Sequence, residues 1–266
     1  MDLAKHCIVQ PGGKLRLKHR DPSDTFGKKR DDKTHEKSLI RLRELQHLLY
    51  ADKRYSLLVV LQGLDAAGKD GTIRHVMSGV NPQGCEVTSF KAPSSEELAR
   101  NFLWRIHRAV PARGNIGIFN RSHYEDVLIV RVHDLVPKTV WKHRYGHIND
   151  FERMLVDNGV TILKFFLHIS KEEQRKRFEA RIQDSSRNWK LSLPDFEERK
   201  HWENYTEAYE EALSRCSTEH APWYVIPSDR KWVRNYVVAD LIVQALDRMR
   251  LKYPAPSVDI SKVVLE

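Results

Sequence analysis

GLDAAGKD, Gly63–Asp70, follows directly on the apolar run SLLVVLQ, Ser56–Gln62. A buried strand, a glycine loop and a lysine at the start of a helix form the GxxxxGK pattern, in which consecutive backbone N–H groups and an ammonium surround a polyphosphate. The candidate phosphate-binding residues are therefore Ala66, Ala67, Gly68, Lys69, Asp70 and Gly71. A glycine turn without a ligand is the competing reading. The usual pattern places Ser or Thr after the lysine as a magnesium ligand, but here that position is Asp70. A second carboxylate, Asp65, lies inside the loop, where it would repel bound phosphates unless a divalent cation stood between them. Asp65 is accordingly a candidate metal ligand, and Gly71 a close-packing position.

The chain has 266 residues and 41% apolar content, enough for one full core and too much for a disordered chain. No apolar run approaches the roughly 20 residues of a membrane span, and the polar start lacks a signal-peptide pattern. A cytoplasmic protein without a membrane partner is expected. Cys7, Cys85 and Cys216 are scattered, in no disulfide or zinc spacing. The net charge is +9, and residues 1 to 56 hold 14 Lys and Arg against 8 Asp and Glu. Such an excess suggests an anionic partner larger than one nucleotide. Nucleic acid is the first alternative, but no nucleic-acid motif or stacking aromatics accompany the charge.

Residues 1–33, rich in Pro, Gly and charge, read as a basic irregular arm rather than a packed element. An amphipathic helix follows over 34–50, and then strands and helices alternate: strands over 56–62, 85–90, 115–119, 160–169 and 224–226, helices over 70–80, 94–110, 138–158 and 232–251. This alternation implies an α/β fold with a five-stranded parallel sheet flanked by helices on both faces, and ligands at the strands' carboxyl ends. The domain is expected over 34–252, with a helical lid at about 170–200 and a tail over 253–266.

After the third strand stands FNRSHYEDV, Phe119–Val127, where a P-loop protein carries a metal-binding aspartate on the strand end. Asn120 occupies that place and offers no anionic oxygen, so the metal must rely on Asp65 with Glu125 or Asp126. Arg121 would point a guanidinium into the same crevice, suited to bidentate phosphate contact. In KEEQRKRFEAR, Lys171–Arg181, Arg177 and Arg181 share one helical face and could close over phosphate oxygens; a salt-bridged surface helix is the competing reading. His123 reads as polar satisfaction.

GLDAAGKD, TSFKAPSSEEL (Thr88–Leu98), FNRSHYEDV and IPSDRKWVRN (Ile226–Asn235) together resemble the polyphosphate kinase 2 family over about residues 34–252. The resemblance implies a P-loop kinase fold similar to thymidylate kinases. It also implies reversible transfer of a phosphoryl group from inorganic polyphosphate to nucleoside mono- and diphosphates, AMP to ADP and ADP to ATP, with Mg2+ or alternatively Mn2+. Asn-Arg-Ser-His-Tyr-Glu-Asp resembles the subgroup accepting both AMP and ADP. On this reading Asp65, Lys69 and Arg121 are catalytic, Asp65 and Asp126 hold the metal, and Arg177 and Arg181 complete a cage around the phosphates. By analogy Phe90, Lys91 and Pro93, with Asn120 and Glu125 facing them, meet the acceptor nucleotide. Guanine nucleotides are further candidate acceptors, and a homo-oligomer without nucleic acid is expected. The alternatives are an ATP-dependent nucleoside monophosphate kinase of thymidylate kinase-like fold and a nucleic-acid-binding protein with a structural P-loop.

Overall fold

All seven residues of SLLVVLQ are buried, as a central strand covered on both faces requires. The computed structural model describes residues 3–186 and 188–263. Residues 1 and 2 of the expected arm, 187 of the lid segment and 264–266 of the tail lie outside the described residues. The strands are β1 (Ser56–Gln62), β2 (Cys85–Ser89), β3 (Ile116–Asn120), β4 (Val160–His168) and β5 (Trp223–Pro227). They form one sheet in the order β2-β3-β1-β4-β5, every pair parallel. The chain reverses its direction of winding at β1, so the carboxyl ends of β1 and β3 open a crevice at the switch point.

The helices are α1 (Leu3–Cys7), α2 (Asp32–Asp52), α3 (Lys69–Val76), α4 (Ser95–Leu98), α5 (Trp104–Arg108), α6 (Ile129–Val132), α7 (Lys138–Asp157), α8 (Lys171–Gln183), α9 (Leu193–Glu198), α10 (Trp202–Cys216) and α11 (Lys231–Arg248). Alternation along β1 divides the core. Leu58 and Val60 join Trp141, Tyr145 and Ile148 of α7 and Tyr209 and Leu213 of α10 on one face. Leu57, Val59 and Leu61 join Leu42 and Leu49 of α2 and Val237 and Ile242 of α11 on the other.

Three expectations are corrected. The segment before α2 is sparse in regular structure, as expected, but it is packed. Leu3, Cys7, Val9, Leu15 and Leu17 are buried, the Val9 N–H donates to the Trp223 carbonyl at 2.8 Å, and Ile8 pairs antiparallel with Tyr224. The arm thus covers the open edge of β5, which would otherwise present unpaired backbone groups. The helix expected over 94–110 is two short helices. Ser94 caps the first through a reciprocal bond with Glu97, and Asn101 Oδ1 accepts from the Leu103 N–H and turns the chain between them. Finally, α10 was not anticipated.

Candidate active site

β1 delivers the loop and α3 receives it. A Cβ on Gly63 would stand 2.9 Å from the Leu167 carbonyl oxygen of β4, so only glycine lets the loop leave the sheet here. Gly68 enters α3 at φ +109°, and Ala66 is held at φ +61°, a left-handed conformation that a non-glycine residue adopts only under constraint. The first turn of α3 begins at Lys69, and the leading N–H groups of a helix have no partner within it. The Lys69 ammonium folds back onto the Gly63 carbonyl at 2.6 Å and the Leu64 carbonyl at 3.4 Å. Burial lowers its pKa, opposed first by Asp65.

β3 delivers the opposing wall. Arg121 follows it at φ +64°, its N–H still bonded to the Leu61 carbonyl, and Nη2 donates to Asp65 Oδ1 at 3.1 Å. Burial works against the Arg121 charge, but Glu125 and Asp65 outweigh it and raise the pKa. The two departures from the usual loop chemistry meet each other: Asn120 Nδ2 donates to Asp70 Oδ1 at 2.9 Å. Glu125 faces the same cluster from the next turn. Burial raises its pKa, against Arg121, Lys69 and a hydrogen bond with Gln62.

Several expected residues sit differently. Asp126 accepts from Arg144 Nη1 of α7 at 3.0 Å; burial raises its pKa, opposed by Arg144 and Arg105. Glu125, rather than Asp126, is the carboxylate of this turn that feels Arg121, Lys69 and Asp65. Arg177 reaches the loop from the back. It donates to the carbonyls of Ala66, Ala67, Ser228 and Asp229 and to Glu173, which engages all five donors of a guanidinium. In this conformation it braces the loop rather than covering phosphates. Arg181 lies over the Phe178 ring, 5.4 Å from its centroid. Phe90 is buried, its ring edge-on to Phe119 at 4.9 Å, whereas Lys91, Ala92 and Pro93 after it are exposed. Arg105 anchors that loop by donating to the Lys91 carbonyl at 2.9 Å.

Other residues of the site had no role assigned from the sequence. Gln62 Nε2 donates to Ser122 Oγ at 3.0 Å, tying β1 to the Arg121 turn. Tyr209 of α10 lies beside Glu125, Arg121 and Asp65, whose charges act on its hydroxyl. From the lid, Gln174 donates to the Asp65 carbonyl at 2.9 Å and accepts from Arg199 at 2.6 Å. Asp195 of α9 also faces the cluster: burial raises its pKa, with Asp65 adding and Arg181, Arg121 and Lys69 opposing. Beneath the turn, Lys164 of β4 donates to Glu152 Oε2 and to Tyr124 Oη at 2.8 Å, while Tyr124 and His123 both meet Glu152 Oε1. The expected satisfaction of His123 is met at Nε2 only; its Nδ1 is buried without a hydrogen-bond partner.

Among the described residues no group of three or more His, Cys, Asp or Glu side chains could hold a metal ion. Asp65 and Glu125 therefore suit a hard cation that takes one or two carboxylates and completes its shell with substrate phosphates and water.

A P-loop on the central strand, an Asp–Arg pair across the switch-point crevice and a helical segment over it define a phosphotransferase of the P-loop kinase class. Comparison with known proteins agrees. The family Polyphosphate kinase 2 (PPK2) matches residues 25–254. The chain is 51% identical over 266 residues to an AMP/ADP-polyphosphate phosphotransferase of Meiothermus ruber, covering 98% of this chain and all of the relative. It is 51% identical over 226 residues to an ADP-polyphosphate phosphotransferase of Rhodopseudomonas palustris, covering 80% and 78% of the two chains. The crystal structure of Polyphosphate Kinase 2 from Arthrobacter aurescens TC1 superposes with a TM-score of 0.93 at 41% identity, over 98% and 94% of the two chains. This chain belongs to the polyphosphate kinase 2 family, and it is an enzyme. No described helix is long and apolar enough to cross a membrane.

Proposed function

We propose that the protein transfers the terminal phosphoryl group of inorganic polyphosphate to AMP and ADP, reversibly, with Mg2+ or Mn2+. The observation that carries this reading is the Asp65–Arg121 pair standing beside the Lys69 loop, in a chain whose whole length matches an AMP/ADP-polyphosphate phosphotransferase. Polyphosphate lies along the N–H groups of residues 66 to 71, and Lys69 leaves its two carbonyls for a phosphate oxygen. Asp65 and Glu125 would hold the cation, which when bound would neutralise charge on the phosphates. Arg121 exchanges its single bond to Asp65 for a bidentate contact spanning donor and acceptor phosphates. The acceptor is already anionic near neutral pH, so positioning and charge neutralisation suffice without a strong general base. Asp126, paired with Arg144, is not called on as one. Lys91 and Pro93 line the acceptor side, and Arg181 and Asp195 look in from the lid, which excludes water so that transfer outcompetes hydrolysis.

Purified protein given polyphosphate, a divalent cation and AMP, ADP or GDP is assayed for the next nucleotide in the series. Turnover of AMP and ADP is expected. Product from ATP plus AMP with none from polyphosphate would replace this reading with the ATP-dependent nucleoside monophosphate kinase.

A further inference from the structure

Of the sequence IPSDRKWVRN, one residue reaches the phosphate loop without a role so far. Arg234, in the first turn of α11, is 3% exposed. Its Nη1 donates to the Ala67 carbonyl at 3.1 Å, and Nε and Nη2 donate to Asn235 Oδ1 at 3.2 and 2.9 Å. A Cβ on Gly68 would fall 1.8 Å from Nη1, and one on Gly71 would fall 3.5 Å from Nη2. The guanidinium therefore lies flat along the loop backbone from Gly68 to Gly71, in space that the glycines leave open.

Every acceptor named for Arg234 is neutral, and its side chain forms no ion pair among the described residues. The charge acting on it is another cation, Arg177, which shares the Ala67 carbonyl. Burial first and Arg177 second lower the Arg234 pKa to about 10. A buried guanidinium without a carboxylate is unfavourable for the free chain. It becomes favourable when a polyanion lies on the far side of the loop.

We propose that Arg234 is a positioning residue and built-in counter-charge for the polyphosphate donor, acting through the Ala67–Gly68 peptide group. Its bond to the Ala67 carbonyl polarises that peptide, so that the Gly68 N–H on the opposite side becomes a stronger donor to phosphate. Its charge adds to the field that the loop presents. The inference rests on the reading that this loop holds polyphosphate.

The test compares Arg234→Lys and Arg234→Met with the parent enzyme in three measurements: KM for polyphosphate, KM for ADP, and the rise in Tm on adding polyphosphate. Both variants lose the fork and its packing, so the difference between them reports the charge. Arg234→Met should raise KM for polyphosphate roughly tenfold or more, leave KM for ADP within about twofold, and abolish the polyphosphate-induced rise in Tm. Arg234→Lys should fall between the parent and Arg234→Met, and its unliganded Tm should be no higher than that of Arg234→Met. Equal KM values for the two variants, an unchanged polyphosphate response in Arg234→Met, or equal losses toward both substrates would overturn the proposal. Should Arg234→Met fail to fold, Arg234→Gln, which keeps a donor for Ala67 without the charge, takes its place under the same criteria. Lys69→Ala runs alongside. If it keeps the polyphosphate response, the loop reading itself fails; if it loses the response while the Arg234 variants keep it, only the role of Arg234 fails.

Discussion

Arg121 Nη2 stands 3.1 Å from Asp65 Oδ1, an ion pair that closes the crevice between the loop after β1 and the end of β3. The side chains are 40% and 25% exposed, so solvent screens the pair and its stabilisation is about 1 kcal/mol at most. Its significance is that both charges can be redirected onto a ligand at little cost. Asp65→Asn should therefore leave Tm within about 4 °C of the parent. It should lower kcat by roughly 100-fold or more, because the anionic oxygen proposed to hold the cation is gone. A near-normal rate at saturating divalent cation would remove Asp65 from the metal site. Arg121→Lys keeps the charge and loses the planar fork, and a fall of roughly tenfold or more in kcat is expected if bidentate contact matters.

Lys69 meets only backbone carbonyls, those of Gly63 and Leu64, from a nearly buried position. Its bonds help to shape the loop, but burial already disfavours the charge. Lys69→Met, which keeps most of the side-chain volume, should change stability by no more than about 1 kcal/mol. It should lower kcat/KM by a factor of roughly 100 to 1,000, as loss of a charged contact to transferring phosphate does. Steady-state kinetics paired with denaturant unfolding separates the two quantities, and a collapse of stability with intact turnover would mark the lysine as purely structural.

What the sequence made legible follows from periodicity and local chemistry. β1 is a continuous apolar run and β4 a largely apolar one broken by Lys164, because helices cover both their faces, and the glycine loop has a single geometry open to it between a strand and a helix. Asp65, Lys69 and Arg121 stand next to such landmarks. The packed arm was hidden because Leu3, Cys7, Val9, Leu15 and Leu17 fall in short apolar stretches with no helical or strand period long enough to read, and their partners lie some 200 positions away on β5 and α10. The helix α10 had a readable signal in Tyr205, Ala208, Tyr209, Ala212, Leu213 and Cys216, all buried at helical spacing. The pairing of Asp126 with Arg144, and the placement of Arg177 and Arg234 behind the loop, depend on how helices distant in sequence pack. Neighbouring residues do not encode that.

Beneath the Arg121 turn, Lys164 and Glu152 form a fully buried pair, with Tyr124 and the Cys216 carbonyl completing the ammonium's bonds. Removing one partner strands a charge in the core, so Lys164→Met should cost about 3–5 kcal/mol. The double variant Glu152→Gln/Lys164→Met, which removes both charges and keeps an acceptor for Tyr124 and His123, should recover part of that loss. Burial works to raise the Glu152 pKa, but Lys164 and His123 bring it below its ordinary value of 4.5. For a carboxylate depressed in the folded state, the stabilisation is fully present above pH 4.5 and is lost as pH falls through the folded value. Denaturant midpoints measured from pH 7 downward should drop across that window in the parent and stay flatter in the double variant. Equal slopes would show that the pair does not contribute to acid sensitivity.

Glu125 carries the opposite sign. Burial raises its pKa despite Arg121 and Lys69, so between the unfolded value, near 4.5, and the higher folded value the native state holds a proton that the unfolded chain has released. Its contribution to stability is then greatest below pH 4.5 and declines as pH rises through the folded pKa. Ionised and buried, it is a destabilising group until a cation or phosphate-bound metal reaches it. Glu125→Gln should accordingly leave stability at pH 7 unchanged or slightly raised, within about 1 kcal/mol, since the amide keeps the shape and loses the charge. Binding of a divalent cation with polyphosphate should release a proton from the parent between pH 4.5 and the higher folded pKa, because the cation takes the carboxylate form. Calorimetric titration in two buffers of different ionisation heat counts that proton, and the count should fall in Glu125→Gln. Identical proton release from both would mean that Glu125 stays out of the metal's shell, leaving Asp65 as the crevice's single carboxylate ligand.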